Sequence, residues 1–206
     1  MKQVNPEIQA YLEKDIISLY AGFDKAHSVS HVRSVMDAAL AMSQYYDVDM
    51  DMIAVAAAFH DIGLREDRAT HHLISGRIIR EEQALRKWFN PEQIETIARA
   101  AEDHRASSDH EPRSIYSKII AEADRQIDPE TVILRTIQFS LAHEPQLDKE
   151  GHWHRTVDHL NEKYAEGGYL KLWIPESSNA RELGRLREII RNERKLRSIF
   201  EELYGK

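Results

Sequence analysis

Across 206 residues, Asp and Glu outnumber Lys and Arg by 35 to 28, giving a net charge of −7. That balance argues against nucleic acid as the main partner, yet leaves room for an anionic substrate, because a bound cation reverses the field locally. The absence of cysteine removes disulfides, thiolate catalysis and cysteine-held zinc. With 42% hydrophobic and 31% charged residues the chain has an ordinary soluble balance, most simply one domain over residues 1–206 with a sizeable core. Residues 1–7 lack the apolar centre of a signal peptide, and no stretch supplies the roughly 20 apolar residues that span a bilayer. The expectation is a cytoplasmic chain with no membrane contact.

Eight glycines, six prolines and few β-branched runs point to an all-α chain. Three helix starts share one grammar: Asn5-Pro6-Glu7, Asn90-Pro91-Glu92 and Asp128-Pro129-Glu130 each place a cap, a first-turn proline and a carboxylate at the positive end of the dipole. The first helix is expected over residues 6–20 and the second over 28–45, where Val32, Val35, Met36, Ala39 and Leu40 form an apolar stripe. A third covers 50–59, and Gly63 then opens a polar loop, 64–70, containing Glu66 and Asp67. Helices follow over 72–88, 91–104 and 113–127, the last two separated by a polar loop at 105–112. Beyond them, helices over 129–141, 153–165 and 180–203 complete the chain, with Gly167-Gly168 breaking the second of these. The arginines of the last helix interleave with Glu182, Glu188 and Glu193, the pattern of a solvated face rather than a nucleic-acid patch.

The chemistry concentrates around the third helix. The run from Ile53 to Phe59 is apolar on every side, which implies burial, and it ends in His60-Asp61-Ile62-Gly63. A buried histidine and aspartate need partners, and a metal cation satisfies both together. His31, beside Val32 and Val35, points inward; alone it would read as a satisfied core histidine, but the downstream pair changes that. His27, one turn earlier, reads as a loop or cap residue. Asp124 lies among Ile119, Ile120, Ala123 and Ile127, so its carboxylate is either a ligand or half of an internal salt bridge. Two imidazoles and two carboxylates suit Mn, Fe, Co, Ni or Zn better than Mg. Four such ligands leave positions open for water and a phosphate oxygen, which is what hydrolysis needs. Arg105, Arg125 and Lys163 offer charge for phosphate groups, against their reading as surface charges.

These residues resemble the HD-domain superfamily of metal-dependent phosphohydrolases, in its small single-domain bacterial form. The resemblance rests on His31-Val32-Arg33-Ser34-Val35, on Phe59-His60-Asp61-Ile62-Gly63, and on Ala123-Asp124 with Glu122 in place of the first aspartate of an Asp-Ala-Asp context. It covers residues 25–130 as a metal-binding core, with additional C-terminal helices over 131–206. It implies a divalent metal held by His31, His60, Asp61 and Asp124, and hydrolysis of a phosphate ester or anhydride in a small molecule, most plausibly a nucleotide. It also implies roles for His72, four residues before Gly76, and for His104 at the end of the next helix. In relatives such histidines hold a second ion or contact phosphate, so Asp61, His72 and His104 form the expected catalytic group. By contrast, His71 is expected to be exposed. Glu66 and Asp67 stand near the position of a water-orienting acid in some relatives, against a reading as a solvated loop. Lys163 resembles a lysine found near the site in small bacterial relatives. Two alternatives stay open: a di-iron oxygenase using His72 and His104 as extra ligands, and a non-catalytic nucleotide-binding module.

Overall fold

In the computed structural model, residues 3–24, 27–108 and 110–206 are described; the head of the N-terminal stretch (Met1, Lys2), the expected start of the core (Lys25, Ala26) and Asp109 of the polar loop lie outside them. The chain is all-α, with no strand among the described residues. Among the described residues no helix is long and apolar enough to cross a membrane. It divides into two compact units, Met1–Arg125 with Trp173–Ser177, and Gln126–Leu172 with Ser178–Lys206.

The first unit carries helices α1 (Pro6–Tyr11), α2 (Val29–Ser43), α3 (Met50–Phe59), α4 (His71–Glu81), α5 (Pro91–Glu102) and α6 (Ile115–Arg125). The caps expected at its two Asx-Pro starts are present: Asn5 accepts from the Glu7 N–H, and Asn90 exchanges bonds with Gln93. α3 is its centre. Met50 and every residue from Met52 to Phe59 are buried, and burial of a large apolar side chain contributes about 1.5–3 kcal/mol. α2 packs on α3 and α6, and α4 on α5.

Beyond end shifts of up to about one turn, three helices differ from expectation. The first does not run uniformly to residue 20: α1 stops at Tyr11, a π turn covers Leu12–Ile16 and a 3-10 turn covers Ile17–Gly22. The changed winding keeps Leu12, Ile16, Ile17 and Tyr20 all in the core. α4 ends at Glu81 because Glu82 turns extended and its carboxylate caps a separate 3-10 turn, Gln83–Lys87, through the Ala84 N–H.

The second unit holds α7 (Pro129–His143), α8 (Lys149–Tyr164), α9 (Asn179–Arg191) and α10 (Glu193–Leu203). Its last two helices were expected as one. Asn192 leaves helical geometry and its side chain accepts from the Lys195 N–H, so one residue ends α9 and caps α10. Trp153 and Phe200 pack edge to face within this unit, 5.3 Å apart.

Trp173–Ser177 belongs with the first unit for a local reason. The fully buried Glu122 accepts hydrogen bonds from the Trp173 N–H and the Ser177 hydroxyl. Tyr46 donates to Glu176, and Lys118 lies over the Trp173 ring. This strap is seated by one carboxylate on α6, two residues before Asp124.

Candidate metal centre

The centre is assembled from helix ends. α3 stops at Phe59, so His60 and Asp61 occupy the turn where the backbone leaves the helix, both almost completely buried. The Nδ1 of His60 lies 2.7 Å from the Ala57 carbonyl. A carbonyl only accepts, so this nitrogen carries the proton, and the neutral ring keeps its lone pair on Nε2. His104, at the end of α5, does the same with Ala101 at 2.6 Å, and His71, opening α4, with Arg68 at 2.8 Å. Three imidazoles are thus oriented by the carbonyl three residues earlier.

Their Nε2 atoms converge on the two oxygens of Asp61. Oδ2 lies 3.1 Å from His60 Nε2 and 3.6 Å from His31 Nε2. Asp124 Oδ1, brought in by α6, is 3.2 Å from His31 and 3.7 Å from His60. The donor atoms of His31, His60, Asp61 and Asp124 all lie within 4.8 Å of one another. On the other side, Asp61 Oδ1 is 3.3 Å from His71 Nε2 and 3.4 Å from His104 Nε2. Asp61, His71 and His104 form a second group, so one carboxylate is common to both.

The fit to a cation can be read from what these atoms lack. The Nε2 atoms of His31 and His60 are buried without a hydrogen bond, although carboxylate oxygens stand within 4 Å. Together with the Asp61 and Asp124 oxygens they form one cluster of closely spaced donors, as ligands of one ion do. In the second group, His71 and His104 bring Nε2 to within 3.2 Å of Nε2. With both Nδ1 protons on backbone carbonyls, two lone pairs would face each other there, and only a proton or a cation between them removes the repulsion.

In the metal-free chain, charge within the cluster compensates for its burial. Burial acts to lower the basicity of His31 and His60, but the carboxylates of Asp61 and Asp124 outweigh it and raise both, His60 strongly. Burial likewise acts to raise Asp61 and Asp124, but the surrounding histidines hold both well below the usual carboxylate range. A bound cation would take over that compensation from the imidazolium protons.

Further residues brace the centre, and of these the sequence singled out Gly63 alone, as the end of the His60-Asp61 motif. The buried Tyr20 hydroxyl donates to the Ala58 carbonyl at 2.9 Å and accepts from the Asp61 N–H at 3.3 Å, locking the turn. Asp103, beside His104, accepts from the Arg113 backbone N–H at 2.9 Å and its Nε at 3.0 Å, pinning both ends of the 105–112 loop. Burial would raise the Asp103 pKa, but the hydrogen bonds from Arg113 bring it down. Gly63 matters for its missing side chain: a Cβ there would strike the His71 carbonyl and stand 2.9 Å from the Ile74 Cβ. With the Gly63 N–H donating to the Ser75 hydroxyl, this close approach sets α4, and so His71, against the turn. For Asp103 and Arg113 the sequence signals were position alone: Asp103 adjoins a candidate histidine, and Arg113 follows a proline.

The remaining expected residues fall in different places. His71 is not exposed: only 13% of its side chain is accessible, and it occupies the place beside Asp61 and His104 expected of His72. His72 stands outside both groups; its Nδ1 has no partner, and burial with the charges of Arg105 and His104 lowers its pKa to about 4. Arg105 donates to the Ala69 carbonyl at 2.7 Å and lines a cavity of about 530 Å³ together with His27, Leu64, Asp67, Arg68, Ala69 and His71. Arg125 donates to the Ala121 carbonyl of its own helix, and burial lowers its pKa. Lys163 belongs to the second unit, with its ammonium 5.1 Å from the centre of the Tyr164 ring. Glu66 is engaged by Arg77, whereas Asp67 is held by the Thr70 N–H and hydroxyl. His27 is paired with Asp24.

Residues 29–126 match the family model of the HD domain, and His31, His60, Asp61, His71, His104 and Asp124 all fall inside that span. Over that span, just under half of its length, the chain is similar to the HD domain family. A solved structure described as a predicted HD superfamily hydrolase from an uncultured Thermotogales bacterium resembles it with a TM-score of 0.51 at 21% identity, over 74% of this chain and 84% of the other. At that identity the likeness speaks for the HD fold alone. No curated protein matches the sequence.

Proposed function

We propose that this chain is a metal-dependent phosphohydrolase that acts on a small phosphorylated molecule, most plausibly a nucleotide. The observation carrying the reading is the pair of donor groups joined through Asp61, lying beside a cavity that Arg105 lines. His31, His60, Asp61 and Asp124 would hold one cation, and Asp61, His71 and His104 a second where two are bound. Such an ion lowers the pKa of a water and neutralises charge on a phosphoryl oxygen. The chain's own residues do the positioning. The backbone clamps at Ala57, Arg68 and Ala101 fix the imidazoles, Tyr20 fixes the turn bearing Asp61, and Asp103 with Arg113 holds the loop that carries Arg105.

The test is a screen of metal-replenished protein against nucleoside mono-, di- and triphosphates, cyclic dinucleotides and sugar phosphates, with products identified. Phosphate or pyrophosphate release that disappears in His60→Ala supports the proposal; binding of metal with no turnover of any member defeats it. The second donor group also favours one other reading. Six histidine and aspartate donors around a shared carboxylate suit a di-iron oxygenase, and an oxygen-sensitive absorption band in iron-loaded protein would select it.

A further inference from the structure

We infer that the cavity beside His71 is a subsite for a second phosphate group of the substrate, with Arg105 as its anchor, so that the substrate is a diphosphate or longer rather than a monophosphate. This rests on the phosphohydrolase reading and adds to it the class of molecule. His71 is the shared wall: its Nε2 belongs to the group around Asp61, and its side chain also lines the cavity. A phosphoryl group at the metal centre therefore has the cavity as its neighbour, and at about 530 Å³ the cavity has the size of a small-molecule site.

The lining gives the chemistry. Arg105 donates once, to the Ala69 carbonyl, and has no carboxylate partner among the described residues. A guanidinium carries five N–H donors in a fixed fork, so most of them stay available to a phosphate. Its described neighbours do not pair with it. Arg68 is paired with Asp24 at 2.6 Å, and Asp67, the one carboxylate among the described lining residues, turns its Oδ2 to Thr70. The bond to Ala69 ties the 105–112 loop to the 64–70 loop, so the guanidinium is fixed before any ligand arrives. Among the described lining residues only Leu64 and Ala69 are apolar, and no phenyl, phenol or indole ring is present, so the lining is dominated by polar and cationic groups. It suits a phosphate chain.

The experiment measures binding of inorganic phosphate and of methylenediphosphonate, which resists hydrolysis, to the manganese-loaded full chain by calorimetry. Wild type should bind the diphosphonate about tenfold or more tightly than phosphate, the gain expected from charge-assisted hydrogen bonds. Arg105→Ala should abolish most of that preference while its phosphate affinity and manganese content stay unchanged. Arg105→Lys should retain part of it, keeping the charge but not the fork. Arg77→Ala removes an equal charge from an exposed ion pair with Glu66 and should alter neither affinity. Equal affinity for the two anions in wild type overturns the inference, as does an Arg105→Ala variant that weakens both alike or neither. If the loaded protein binds neither anion, the phosphohydrolase reading falls too; phosphate binding without a diphosphonate preference removes the subsite alone.

Discussion

Replacing Asp61 by Asn tests the joined centre at the atom pair on which it turns. The substitution keeps the shape but converts an anion touching four imidazole nitrogens, at 3.1 to 3.6 Å, into a neutral amide with one oxygen. With free metal at about a hundred times its dissociation constant, binding stabilises the folded chain by about 2.7 kcal/mol. In a chain of this size each kcal/mol shifts the melting temperature by roughly 2–4 °C, so wild type should gain about 5–11 °C on loading. A site weakened about a hundredfold keeps only about 0.4 kcal/mol at the same concentration, which is a rise of about 1–2 °C. Thermal melts of EDTA-treated protein with and without manganese, followed by helical circular dichroism, read the difference directly. A wild type that ignores manganese, or an Asp61→Asn protein with the full rise, would refute the reasoning.

The neighbouring histidines should separate cleanly: His71→Ala should lower the number of bound ions or their affinity, whereas His72→Ala should leave metal content unchanged, as elemental analysis can show. The EDTA-treated protein should be most stable between about pH 4 and 6.5. The raised pKa values of His31 and His60 contribute stability that is complete below about 6.5 and lost as pH rises through their folded values. The depressed values of Asp61 and Asp124 contribute stability above about 4 that is lost as pH falls. Melts from pH 4 to 9 should show the decline on the alkaline side, which saturating metal should flatten. Glu122→Ala strands the Trp173 N–H and the Ser177 hydroxyl; it should cost about 3 kcal/mol and open residues 173–177 to proteolysis and hydrogen exchange. Gly63→Ala should cost a comparable amount by driving a methyl group into the His71 carbonyl, and should disturb metal binding through α4.

The all-α class and the course of α3 were legible because apolar periodicity and Asx-Pro caps are local signals, and the bounds of α3 match residue for residue. The grouping of His31, His60, Asp61 and Asp124 was legible through the resemblance, because burial alone left Asp124 as either a ligand or half of a salt bridge. The break at Asn192 was not, because an apolar stripe continues through it while a side-chain cap resets the helix. The expectation put His72 in the site and left His71 exposed, whereas His71 is the one beside Asp61 and His104. The backbone distinguishes them: the Arg68 carbonyl receives the His71 ring, whereas the Ala69 carbonyl, at the same offset from His72, receives Arg105. Glu122 looked like a variant of a metal-site acid, but its carboxylate is occupied by a strap distant in sequence, a contact no local pattern encodes.

The backbone clamps on His60, His71 and His104 bear on which element a living cell would install. Rings fixed by carbonyls at helix ends have little freedom to widen or narrow around a particular ion. A frame of that kind favours ions whose donor distances and geometry it already matches, against the intrinsic affinity order that rises from manganese to copper. Occupancy is then governed by that match together with which ions the surroundings make available and in what amounts. The metal recovered with the purified chain would record the growth medium as much as the protein, and activity should be compared across ions loaded deliberately before any one is taken as native.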